Sequence, residues 1–155
     1  MKFGVIANAA LLGLLLMPLA NAQLMLAVQG KIPFEFRIGD QTLPAGEYNF
    51  VRHNAASPII AMRNVNDKSL ASMFLSSQVQ AKPSENTETT KVVFHRYGKT
   101  YFLSQIWDRS DDRTGLELKR TNAEKTIAHQ MAGLRTPDTV EVALNSSHRG
   151  MKATD

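Results

Sequence analysis

No cysteine occurs anywhere in the 155 residues. That single absence excludes disulfide staples, thiolate metal ligands and thiol nucleophiles, and it leaves no sulfur for a lipoprotein acyl anchor. Long apolar runs are missing after residue 22, so no later segment offers the about 20 apolar residues of a membrane-crossing helix. Charge of one sign is missing too, since 18 lysines and arginines stand against 14 aspartates and glutamates. The basic residues are scattered, and runs such as Arg109-Ser110-Asp111-Asp112-Arg113 cancel locally. The electrostatic footprint of a nucleic-acid binder is therefore absent.

Patterns that carry chemistry are equally scarce. His53, His95, His129 and His148 make no i, i+2 or i, i+4 pair of the kind that holds a metal. No serine sits in a Gly-x-Ser-x-Gly elbow or a Ser-x-x-Lys pattern. Asp108, Asp111 and Asp112 lack the further oxygen ligands and the fixed glutamate of a calcium loop, and Arg109 and Arg113 intervene. No catalytic, metal or cofactor site is expected from these residues.

What is present begins with an address. Lys2, an apolar run over residues 5 to 19 centred on Leu11, Leu12, Leu14, Leu15 and Leu16, then Pro18 and Ala20-Asn21-Ala22 follow the order of a cleavable secretory signal. The expected cut after Ala22 leaves Gln23 as the mature N-terminus and an exported chain, periplasmic or secreted. The remainder has single-domain length and can bury a core without staples.

From residue 24 to about 107, β-branched and aromatic residues alternate between turn-formers, while helical periodicity is lacking. Residues 31 to 38 place Ile32, Phe34, Phe36 and Ile38 on one face, the pattern of a half-buried strand. Residues 47 to 53 form a partner strand with Tyr48, Phe50 and Arg52 on a common face, and residues 58 to 65 and 69 to 77 repeat the hairpin design. Residues 78 to 90 read as a long exposed loop.

The clearest hairpin is Lys91–Tyr97 with residues 100 to 107 around Gly98-Lys99. Regular pairing puts Val92, Phe94, Tyr101 and Leu103 on one face, with Val93, His95, Phe102 and Ile106 on the other. Apolar residues on both faces call for a cover. Thr121-Asn122-Ala123-Glu124 fits a capping box, and Ala123, Ile127, Met131 and Leu134, at roughly helical spacing up to Gly133-Leu134, give a helix near residues 122 to 132 that supplies one. Residues 139 to 144 read as a last strand, and residues 145 to 155 as a polar tail.

Two motifs, Ile32-Pro33-Phe34-Glu35-Phe36 with Leu43-Pro44-Ala45-Gly46-Glu47-Tyr48, and Val93-Phe94-His95-Arg96-Tyr97-Gly98 with Tyr101-Phe102-Leu103-Ser104 and Trp107, resemble a family of small exported bacterial β-domain proteins. The resemblance covers roughly residues 30 to 120. It implies a shared fold and brings no catalytic residue with it.

The expected fold is mainly β, a small antiparallel sandwich or barrel over residues 23 to 144 with one short C-terminal helix. The expected function is a non-enzymatic, envelope-associated binding or structural module. Its partner would be an envelope component or a small ligand, with no nucleic acid and no cofactor. Two rivals stand beside it. A carbohydrate- or lipid-binding domain would use candidate ligand-binding residues Tyr101, Trp107 and His95, since amphipathic rings suit wet interfaces. A small hydrolase centred on His95 would need an acid or a nucleophile within hydrogen-bond reach of that ring.

Overall fold

The computed structural model describes residues 26–52, 54, 56–82, 88–109, 113–131 and 137–146. The expected signal peptide, His53, the pair Asp111 and Asp112, the segment around Gly133 and Leu134, and the tail from residue 147, with His148, lie outside these described residues. The fold is mainly β. In chain order the elements are β1 (Leu26–Ile32), β2 (Phe36–Ile38), β3 (Gln41–Leu43), β4 (Gly46–Arg52), β5 (Ile59–Asn64), β6 (Ala71–Gln80), β7 (Lys91–Tyr97), β8 (Thr100–Trp107), β9 (Thr114–Leu118), α1 (Asn122–Met131), β10 (Asp138–Ala143) and β11 (Asn145–Ser146).

Two sheets enclose the core, and two segments belong to both of them. Strands β1, β4, β5 and β6 pair in succession, all antiparallel. On the other side β6, β9, β8, β7 and β10 do the same. Strand β6 crosses between the sheets, with residues 71 to 75 paired to β5 and residues 76 to 80 paired to β9. Residues 138 to 146 make the second crossing, because β10 pairs with β7 while β11 pairs with β1. The circuit is thus closed through residues 138 to 146, a sandwich bridged at both edges in the manner of a barrel, although β11 meets β1 at only Val28 and Gln29.

Leu144 is the hinge of the second crossing. Its amide donates to the Thr90 carbonyl at 2.8 Å, and its side chain is buried. A Cβ on Gly30 would sit 2.6 Å from Leu144 Cδ2 and 3.3 Å from its Cα, so a larger residue there would require the Leu144 side chain to shift. Asn145 and Ser146, expected to open a polar tail, are strand residues opposite Gln29 and Val28.

Alternation places the core as the sequence requires. Ile32, Phe36, Ile38, Tyr48, Phe50, Ile60, Met62, Val92, Phe94, Leu103, Ile106 and Leu116 all point inward and are buried. Residues 31 to 38 are not one strand, however. The chain breaks over residues 33 to 35, where Pro33 has no amide for a ladder bond, and β2 then pairs with β3 and touches β8 in parallel at Phe102. The facing survives the break: Phe34 stacks on Tyr101 at 4.0 Å and meets Phe94 edge-on at 5.1 Å. Phe36 then bridges Phe94 at 5.5 Å and Tyr48 at 5.1 Å. A chain of rings therefore runs through the core, and edge-to-face pairs add about 0.5–1.5 kcal/mol each beyond burial.

A hydroxyl locks one corner. Tyr48 OH donates to the Pro44 carbonyl at 2.8 Å, a bond from a strand back to the turn that feeds it. Burial also raises the Tyr48 phenol above its ordinary pKa. Nearby, Asn64 Oδ1 accepts from the amides of Asn66 and Asp67 at 2.9 Å each, which shapes the β5–β6 turn. Replacing Tyr48 by Phe keeps the ring and deletes the corner bond. The expected loss is about 1–2 kcal/mol of unfolding free energy in urea denaturation, with the β-type circular dichroism unchanged.

Candidate functional site

The hairpin Lys91–Tyr97 with Thr100–Trp107 forms as expected, with Tyr97 opposite Thr100 and Gly98 at φ 63°. One facial assignment is corrected. Val93 pairs with Gln105 and Phe94 with Leu103, so Ser104 is an extra residue, a β-bulge. The bulge flips every residue after it, which turns Ile106 inward opposite Val92 instead of outward beside His95. Ser104, on the same side as Phe102, stands on the outer face with His95.

There the side chains form a chain of polar contacts. Ser104 Oγ lies 3.1 Å from His95 Nε2, and His95 Nδ1 lies 2.7 Å from Glu124 Oε1. Tyr97 OH donates to the same carboxylate oxygen at 3.2 Å, and Arg120 Nε stands 3.6 Å from it. With a carboxylate on Nδ1, the neutral ring carries its proton there and leaves Nε2 to accept from the Ser104 hydroxyl. Burial, and then the charge of Glu124, raise the Tyr97 phenol above its ordinary pKa.

Glu124 reaches this place through the start of α1. Thr121 Oγ1 caps the helix by accepting from the Glu124 amide at 3.2 Å, the first half of the capping box. The carboxylate is directed away from the cap, into the barrel wall. Glu124 is the buried residue of the helix, while Ala123, Ile127 and Met131 are half-buried. The helix therefore covers the outer face of β7, and a carboxylate fastens it there.

Chemically, serine, histidine and carboxylate stand in the order that nucleophilic catalysis uses. Access is the opposing fact: Ser104 is 3% exposed. The other candidate ligand-binding residues are set apart from this group. Trp107 is 6% exposed, lies flat against Gly115 and packs with Val93 and Ala81, and its Nε1 donates to Gln105 at 3.0 Å. Tyr101 is half-buried in its stack on Phe34. Among the described residues no three or more histidines and carboxylates are grouped as for a metal ion, and no helix is long and apolar enough to cross a membrane.

A second surface was not visible from the sequence. On the outer face of β4, β5 and β6, Met73 is 77% exposed, Leu75 66% and Ile59 46%. The register puts Ile59 opposite Leu75, and Val51, Ala61 and Met73 in one row across three strands. The small Ala61 between Val51 and Met73 makes a trough, part of a groove of about 470 Å³. The available signal was apolar residues at consecutive positions in β5 and β6, which fill both faces of each strand. No family model, curated protein or solved structure matches this chain.

Truncating Glu124 to Ala strands His95 and Tyr97 without their shared acceptor. The expected result is about 2–3 kcal/mol lost, with amide exchange accelerated first in residues 122 to 131. Unchanged exchange in the helix would show that it is held by its apolar stripe instead.

Proposed function

We propose that this protein is an exported, non-enzymatic binding module of the cell envelope, and that it binds through the outer face of β5 and β6. The observation that carries this reading is the contiguous strip of Ile59, Met73 and Leu75, large apolar side chains left in water on a rigid closed sheet. Singly exposed apolar residues are ordinary, whereas a joined patch on a small domain marks an interaction surface. Export is supported by the sequence of residues 1 to 22.

Met73→Lys with Leu75→Lys tests the surface. Both side chains point to solvent, so stability should change by no more than about 0.5 kcal/mol in denaturant. Retention of the protein by envelope fractions from the producing cell should fall to background, and N-terminal sequencing of the retained wild type should begin at Gln23. Undiminished retention of the double variant would reject the surface.

A second reading, a small hydrolase, is favoured by the Ser104–His95–Glu124 distances. It requires the Ser104 oxygen to attack an electrophile while His95 Nε2 takes its proton. A fluorophosphonate probe reports this directly, since the serine oxygen bonds to phosphorus and fluoride leaves. Labelling that is abolished in Ser104→Ala and His95→Gln supports the hydrolase; an unlabelled wild type, or label retained by Ser104→Ala, removes it.

A further inference from the structure

The trough on β4, β5 and β6 is graded along its length. Its lining runs from Val51, Ala61 and Met73 to Asn49, Arg63 and Ala71, and the exposed pair Ile59 and Leu75 lies one row beyond the lining at the apolar end. Two steps of an antiparallel strand separate Ile59 from Arg63, a distance of about 13 Å. One end is thus apolar and exposed, and the other presents a guanidinium.

Arg63 is the single ionisable group among the described residues that line the groove. It is exposed, and among the described residues it has no ion-pair or hydrogen-bond partner in its side chain. No carboxylate is among the described residues of the lining to neutralise it. A planar guanidinium at the mouth of an apolar channel matches a carboxylate at the end of a hydrocarbon chain, because its fork can donate two parallel hydrogen bonds to the two oxygens. The groove volume of about 470 Å³ falls in the range of small-molecule sites.

We propose that this trough binds a free fatty acid of medium chain length, with its alkyl chain over Ala61 between Val51 and Met73, towards Ile59 and Leu75, and its carboxylate on Arg63. The inference rests on the reading of this face as the binding surface and adds the class of ligand. A flat anionic membrane fits less well. A lone cation in the patch supplies only about 1 kcal/mol of attraction to such a surface.

The test is a titration of the 15N-labelled protein with decanoate and, separately, with the uncharged decanol. Decanoate should shift the amides of residues 49 to 51, 59 to 63 and 71 to 75. Arg63→Gln should weaken decanoate about tenfold or more, the loss expected for a charge-assisted pair. Decanol should bind more weakly than decanoate and should not respond to Arg63→Gln.

Equal binding of the two probes with no effect of Arg63→Gln overturns the carboxylate assignment but leaves the strip as a binding surface. No shift with either probe overturns the inference, while the envelope-retention result for the lysine double variant decides the broader reading independently. Shifts at the same residues that grow with protein concentration alone, with a dimer in sedimentation, overturn it in favour of a second copy of the chain. Co-sedimentation with phosphatidylglycerol vesicles, unaffected by competing decanoate, overturns it in favour of a lipid surface.

Discussion

Backbone hydrogen bonding at the sheet edges is the constraint on which this architecture depends. A strand left at an edge displays unpaired amides and carbonyls that template association with other chains. Here residues 138 to 146 pair with two edges at once, β7 along the length of β10 and β1 at Val28 and Gln29 through β11. The segment changes sheets at Leu144, whose buried side chain fills the space that Gly30 leaves open. Closure of the circuit fixes which face of each strand looks inward. The chain of rings from Tyr101 through Phe34, Phe94 and Phe36 to Tyr48 then fills that interior from one sheet to the other.

With the interior closed, the two outer faces diverge. On the β7–β8 side, α1 covers the wall, and the Glu124 contacts with His95 and Tyr97 hold it there. On the β5–β6 side, Met73, Leu75 and Ile59 remain in water. The same physical need, to cover apolar surface outside a filled barrel, is met within the chain on one side and left unmet among the described residues on the other.

Local pattern made much of the fold legible. Strict alternation in residues 31 to 38 put Ile32, Phe36 and Ile38 on the buried side even though Pro33 interrupts the strand. The hairpin around Gly98-Lys99 and the helix start at Thr121 follow from turn and cap chemistry, which act over a few residues. Features that depend on distant partners were not legible. The bulge at Ser104 leaves no composition signal, yet it reverses the facing of Ile106. Strand β9 is short and carries Gly115, and its place is set by β6 and β8 on either side. Of the polar cluster, His95 stood out by its strand position, but Glu124, 29 residues away, read only as a helix-capping residue. The exposed strip is not legible in the sequence because apolar content does not reveal which of two faces receives a cover.

The closing segment also has a temporal consequence. Synthesis proceeds from the N-terminus, and β1 and β7 are made long before residues 138 to 146 appear. During that interval both strands are bare along one side, and neither can complete its ladder with anything already made. The ladders of both strands are therefore completed only when residues 138 to 146 emerge.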